Sequence, residues 1–229
     1  MCKNVILALL VGLLICISCG KNNKTTEVTD QVVAEESMAK ELENNYIEDS
    51  DLMPTIGMIA DHEYVDLGLP SGTKWATVNM GAETPYEPGD SYEWGAPDPG
   101  NYFESSDGST IGYNKNISGN SYYDVARKEW GGSWRLPTND EIIELVKSCT
   151  WTIHETNQYQ KYFLVTGPNK NSIIILMTRV RAMWGSQAES DNCAYCLDVV
   201  SASYTDGVRK GRITYAKQKE LLKIRPVTD

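Results

Sequence analysis

The sequence predicts an α+β domain, two helices packed on short antiparallel strands with long loops between them. Three observations lead there. Ile142, Leu145, Val146 and Cys149 recur at helical spacing behind a start signal at Thr138 and Glu141. Five runs then follow that suit strands: YFLVTG, SIIILMTRV, CAYCLDVVSA, GRITYAK and LLKIRPV, separated by turns such as GPNKN and TDG. Upstream, residues 84–120 are crowded with Gly, Pro, Ser, Asn, Asp and Tyr, which is loop material with room for one strand at SYEWG. Helices grouped ahead of a block of strands define the α+β class.

The first element is not part of that domain. Lys3 gives a positive start, and Val5 to Ile17 is an almost unbroken apolar run. The run is short for a bilayer span but has the length of a signal-peptide core, so residues 1–18 read as a signal peptide. It ends in CISCG, where Ser18, Cys19 and Gly20 resemble a bacterial lipobox. Bulky Ile15 disfavours Cys16 as the modified residue, although Cys16 itself stands where a lipobox carries Leu. Lipidation at Cys19 would anchor the chain to a membrane, each buried CH₂ contributing about 0.8 kcal/mol.

Residues 19–60 form the second element, a polar, acidic tether with too few large apolar side chains to offset chain entropy. Val32, Ala39, Leu42 and Tyr46 would share one helix face only weakly. The domain proper is expected over residues 61–229. It opens with a strand at Tyr64–Leu67, the turn GLPSG and a second strand in TKWATVN. Gly68 and Gly72 stand too close together, and Thr73 too early, for a phosphate loop. SYYDVARKEWGG reads as a short helix, started by Ser121 and Asp124 and stopped at Gly131. In the next helix Asn139, Asp140 and Glu144 have a structural explanation, as exposed or dipole-facing acids and amides.

A formal net charge of -10 excludes the electrostatics of nucleic-acid binding and disfavours an anionic membrane as a direct contact. The chain has 13 Tyr and 6 Trp against 2 Phe. Aromatics with polar handles suit half-buried strands and contact surfaces.

Taken in order, YVDLGLPSGTKWATVNMGA, YEWG, WGGSWRLPTNDEIIELVKSCTW, VTGPNKNSI and IRPV resemble the Fibrobacter succinogenes major paralogous domain, a family of secreted proteins and lipoproteins of Bacteroidetes. The likeness runs from about Glu63 to Val227. It implies a C-type lectin-like fold, with the terminal strands paired, DVARKEW and NDEIIELVKS as the helices, and a ligand site in the long loops. Two positions depart from the family pattern: Gly185 replaces a serine in MWGS, and Val78 stands where members carry a cysteine. The resemblance therefore leaves Cys149 without its usual mate. Surface-exported lipoproteins of such bacteria carry acidic residues after the cysteine. GKNNK does not, which favours the periplasmic face of the outer membrane over the cell surface.

Chemistry is sparser. With Cys19 lipidated, Cys149, Cys193 and Cys196 are an odd number of thiols, and whether Cys149 pairs with Cys193 or Cys196 is open. One CxxC and two histidines, His62 and His154, do not make a zinc site, and no cofactor is expected. WRLPT also resembles a motif of formylglycine-generating enzymes, but their cysteine pair has no counterpart here. The sequence points away from an enzyme and toward a binding module for glycan or protein, or a structural component of the envelope. Tyr92, Trp94, Tyr102, Trp184 and Tyr195, in or beside loops, are the candidate ligand-binding residues. Trp75, Trp94, Trp130 and Trp134 have a competing place in the core.

Overall fold

A computed structural model describes residues 57–100, 115–158, 160–177, 183–205 and 208–229, without side chains at 200–205 and 208–209. The signal peptide, Cys19, nearly all of the tether and Tyr102 lie outside these residues.

Strands dominate. Sheet one has the order β1 (Gly57–Ile59), β2 (His62–Asp66), β3 (Lys74–Ala76), β10 (Val227–Thr228). Sheet two is β4 (Thr150–Glu155), β5 (Lys161–Thr166), β6 (Ser172–Leu176), and sheet three is β7 (Met183–Ser190), β8 (Cys193–Thr205), β9 (Val208–Lys217). All these pairings are antiparallel. Among the described residues there are two helices, α1 (Val125–Glu129) and α2 (Asn139–Ser148).

The expected C-type lectin-like α+β arrangement is therefore corrected to a β-rich fold of three sheets. The cause is local. The α1 segment sustains only five helical residues, and Cys149 is extended, so Thr150 enters a strand directly behind α2. Three segments not expected as strands, Gly57–Ile59, Thr150–Glu155 and Met183–Ser190, supply β1, β4 and β7. LLKIRPV, expected as a strand, contributes isolated bridges and the start of β10.

Where signals were local, they hold. Thr138 caps α2, with both halves of the capping box to Glu141 present. Asp124, rather than Ser121, caps α1 and accepts from the Ala126 and Arg127 amides. Gly131 follows α1 with φ +67°, a conformation that glycine alone adopts without strain.

The main core lies where α2 meets all three sheets. It holds Val65 and Trp75 from sheet one, Leu67 just after β2, Ile142 and Leu145 from α2, Trp151, Phe163 and Ile173 from sheet two, and Leu197 from sheet three. Each such side chain contributes about 1.5–3 kcal/mol on burial. A second cluster covers the opposite face of sheet three: Tyr92, Trp94, Ile117, Val125, Leu136, Trp184 and Cys196. Sheet three is thus covered on both sides, which explains why CAYCLDVV is apolar at nearly every position. Gly167 lets the β5–β6 turn lie against sheet one. A Cβ there would come 2.0 Å from the Leu67 carbonyl oxygen.

Candidate ligand-binding surface

Three of the five expected ligand-binding residues are core. Tyr92, Trp94 and Trp184 are 4%, 2% and 0% exposed, and each takes part in the second cluster. Their polar handles are spent internally: Trp94 Nε1 donates to the Gly185 carbonyl (2.9 Å) and Trp184 Nε1 to that of Tyr92 (2.8 Å). Burial, helped by Asp90, Glu129 and Asp98, pushes the Tyr92 phenol up to about 12. The reading of Tyr92 and Trp94 as loop aromatics fails because the loop is itself a packed layer, and Trp184 lies within β7. Tyr92 and Leu222 exchange both backbone hydrogen bonds, and the Trp94 amide donates to Gln218. Once the backbone is paired, the large apolar rings turn inward. Tyr102 lies outside the described residues.

Tyr195 remains, half-buried on β8. Directly across from it on β9 stands Tyr215, 53% exposed. Next along this face come Leu197 opposite Ile213 on the core side and Cys193 opposite Lys217 on the outer side. Leu197 is fully buried and Ile213 partly so, so the tyrosines sit where the sheet emerges from the core. The rim is polar. Gln187 Oε1 accepts the Asn139 amide (2.9 Å), joining β7 to the start of α2. At Gly185 a Cβ would lie 3.2 Å from the Tyr195 carbonyl oxygen and 3.4 Å from Asn139 Oδ1, so α2 approaches the strand closely beside Tyr195. Tyr215 was legible in principle, since GRITYAK alternates and Ala216 is the buried neighbour. Its partnership with Tyr195 required the register.

The groups that could carry a reaction are differently employed. No disulfide joins Cys149, Cys193 and Cys196, so neither expected pairing forms. Burial, with Glu144 nearby, pushes the Cys149 thiol up to about 12, far from a reactive thiolate. Cys149 packs on the main core, while His154 shares the other face of sheet two with Tyr162, on which it stacks (5.5 Å). Asp124 is buried and accepts from the amides of Gly119, Ala126, Arg127 and Leu136; burial raises its pKa against the pull of those bonds. Arg135 makes two bonds to Glu141 (2.8 and 2.7 Å) and one to Asp229 (2.5 Å). Among the described residues no group of three His, Cys, Asp or Glu side chains could hold a metal, and no helix is long and apolar enough to cross a membrane.

No family model, no curated protein and no solved structure matches this chain.

Proposed function

We propose that this chain is a lipid-anchored protein of the cell envelope, held to the outer membrane through Cys19, whose β-rich domain binds a neutral glycan across Tyr195 and Tyr215. The observation that carries the ligand reading is this cross-strand pair, Tyr215 exposed and Tyr195 half-buried, with Lys217 next along the same face. Such rings stack on the apolar faces of sugars while hydroxyls and amides reach the sugar oxygens. A net charge of -10 favours a neutral ligand over an anionic one. Tyr92, Trp94 and Trp184, which sequence reasoning also put in contact with ligand, support the domain from beneath instead. No reaction is assigned, since the carboxylates and thiols described above serve caps, ion pairs and core. The resemblance to secreted and lipoprotein domains of Bacteroidetes agrees with this reading.

Two measurements test it. Replacing Cys19 with Ala should move the protein from the membrane to the soluble fraction; continued membrane retention would refute the anchor. On a glycan array, the purified full chain should bind, and Tyr195→Ala with Tyr215→Ala should weaken binding about tenfold or more, from about 0.5–1.5 kcal/mol lost per ring. Binding that ignores the double substitution, or no glycan bound at all, sinks the proposed ligand.

A further inference from the structure

The β1–β2 hairpin is docked on the domain by an unusual contact. Its strands join through Ala60 and Asp61, both with positive φ (47° and 64°), the two-residue turn that matches strand twist. β2 pairs with β3 from Tyr64 to Asp66, so Ile59 to His62 project past that ladder. Three contacts with the α1–α2 connection hold the projecting tip. Trp134 Nε1 donates to the Ile59 carbonyl (2.8 Å). Gly132 lies flush under Ile59, where a Cβ would come 3.0 Å from Ile59 Cγ2. The His62 imidazole stacks face to face on Trp130, with ring centroids 3.8 Å apart and planes 7° apart, and meets Trp134 edge-on at 6.5 Å. Trp130 and Trp134 brace each other edge to face at 5.1 Å.

We propose that the His62–Trp130 stack is an acid-sensitive latch: neutral His62 holds the hairpin tip down, and its protonation releases β1. The stack fits a neutral ring, because docking strips water from one imidazole face against an indole. Placing a cation over the indole returns about 0.5–1 kcal/mol at an exposed site, against the hydration that is lost. The charged groups around the ring do little to reverse this. Asp61, beside it on the turn, attracts the imidazolium. On α1, Lys128 pairs with Glu129 (2.9 Å) and Arg127 Nη1 donates to the Gly132 carbonyl. Burial outweighs Asp61, and the His62 pKa lies below its usual 6.5. By linkage, a group with a lower pKa when docked than when free binds its proton more strongly after release. The docking contribution is complete above 6.5 and falls as pH drops below it.

Amide hydrogen exchange in the full chain tests this, corrected for the intrinsic pH dependence of exchange and read from about pH 7.5 to about pH 5. Protection of the β1 amides should fall several-fold as His62 titrates, while protection in β5 and β8 stays constant. His62→Phe, which keeps a stacked ring without a proton, should abolish the pH response. His62→Gln, without a stacking ring, should leave β1 poorly protected at both ends of the range. Constant β1 protection in the unmodified chain, or the same acid response in His62→Phe, would overturn the latch.

Discussion

Arg225→Met should destabilise the domain by at least about 3 kcal/mol. Arg225 is 1% exposed, and its guanidinium is held by carbonyl oxygens. Its Nε donates to Asn79 Oδ1 (2.8 Å), Nη1 to the Ala76 and Thr77 carbonyls (both 2.9 Å), and Nη2 to the Ile174 carbonyl (2.9 Å). One guanidinium thus ties the end of β3 and the segment after it to β6. Burial lowers its pKa to about 9, so the group remains charged at neutral pH. Methionine keeps much of the stem volume and strands four acceptors, each costing about 1–3 kcal/mol when left without a donor, though not additively. For a domain of this size, that loss corresponds to a fall in Tm of roughly 10 °C. Arg225→Lys should recover only a fraction, because an ammonium cannot span the fork. A calorimetric Tm for Arg225→Met within about 2 °C of the unmodified protein would show that the clamp is dispensable.

Next in size is the Arg135–Glu141 pair, and it should announce itself in the pH dependence of stability. Both side chains are largely buried, at 15% and 11% exposure. Burial pushes the Glu141 pKa up, but Arg135, the Thr138 amide and the Thr73 hydroxyl together outweigh it and hold it below 4.5. A carboxyl with a depressed folded pKa contributes stability that is present above its unfolded value. That stability drains away as pH falls through the folded value. In the unmodified protein, acid should therefore erode this contribution only below about pH 4.5. Arg135→Ala leaves the buried carboxylate short of its main partner, at a cost of about 3 kcal/mol near neutral pH. With burial then dominant, the Glu141 pKa should rise above its usual value. The variant's deficit should shrink as pH falls and Glu141 becomes protonated. Thermal unfolding of both proteins across this pH range is the check. A deficit that stays the same, or widens, on acidification would contradict the assignment.

The same pair shows how a sequence motif can be read for the wrong purpose. GGSWRLPTNDEIIEL has the residue types of an active site. In the fold, Gly131 ends α1, Trp134 and Leu136 are buried, Thr138 and Glu141 start α2, and Arg135 locks the capping glutamate to Asp229. Every one of these roles is structural. Asp124 adds a link that no spacing rule announces, since its carboxylate caps α1 and also accepts the Leu136 amide.

What the sequence determined by itself was whatever depends on neighbours within a few residues. The capping box at Thr138, the stop at Gly131 and the strands of β5, β6, β8 and β9 are of this kind. Hydrogen bonds to adjacent backbone, a left-handed glycine and side-chain alternation require no distant partner. Tertiary structure alone decided which faces are covered. Tyr92, Trp94 and Trp184 were legible as aromatics near turns, but they became core because the loop carrying Tyr92 and Trp94 closes over sheet three, where Trp184 stands on β7. Tyr195 and Tyr215 became a pair through the β8–β9 register, and solvent-facing because that end of the sheet passes beyond the main core. The balance between helix and sheet was settled at the same level, where β4 starts immediately behind α2 and pairs with β5. Burial belongs to a surface and whatever packs against it, and one segment's residues describe only one side of that contact.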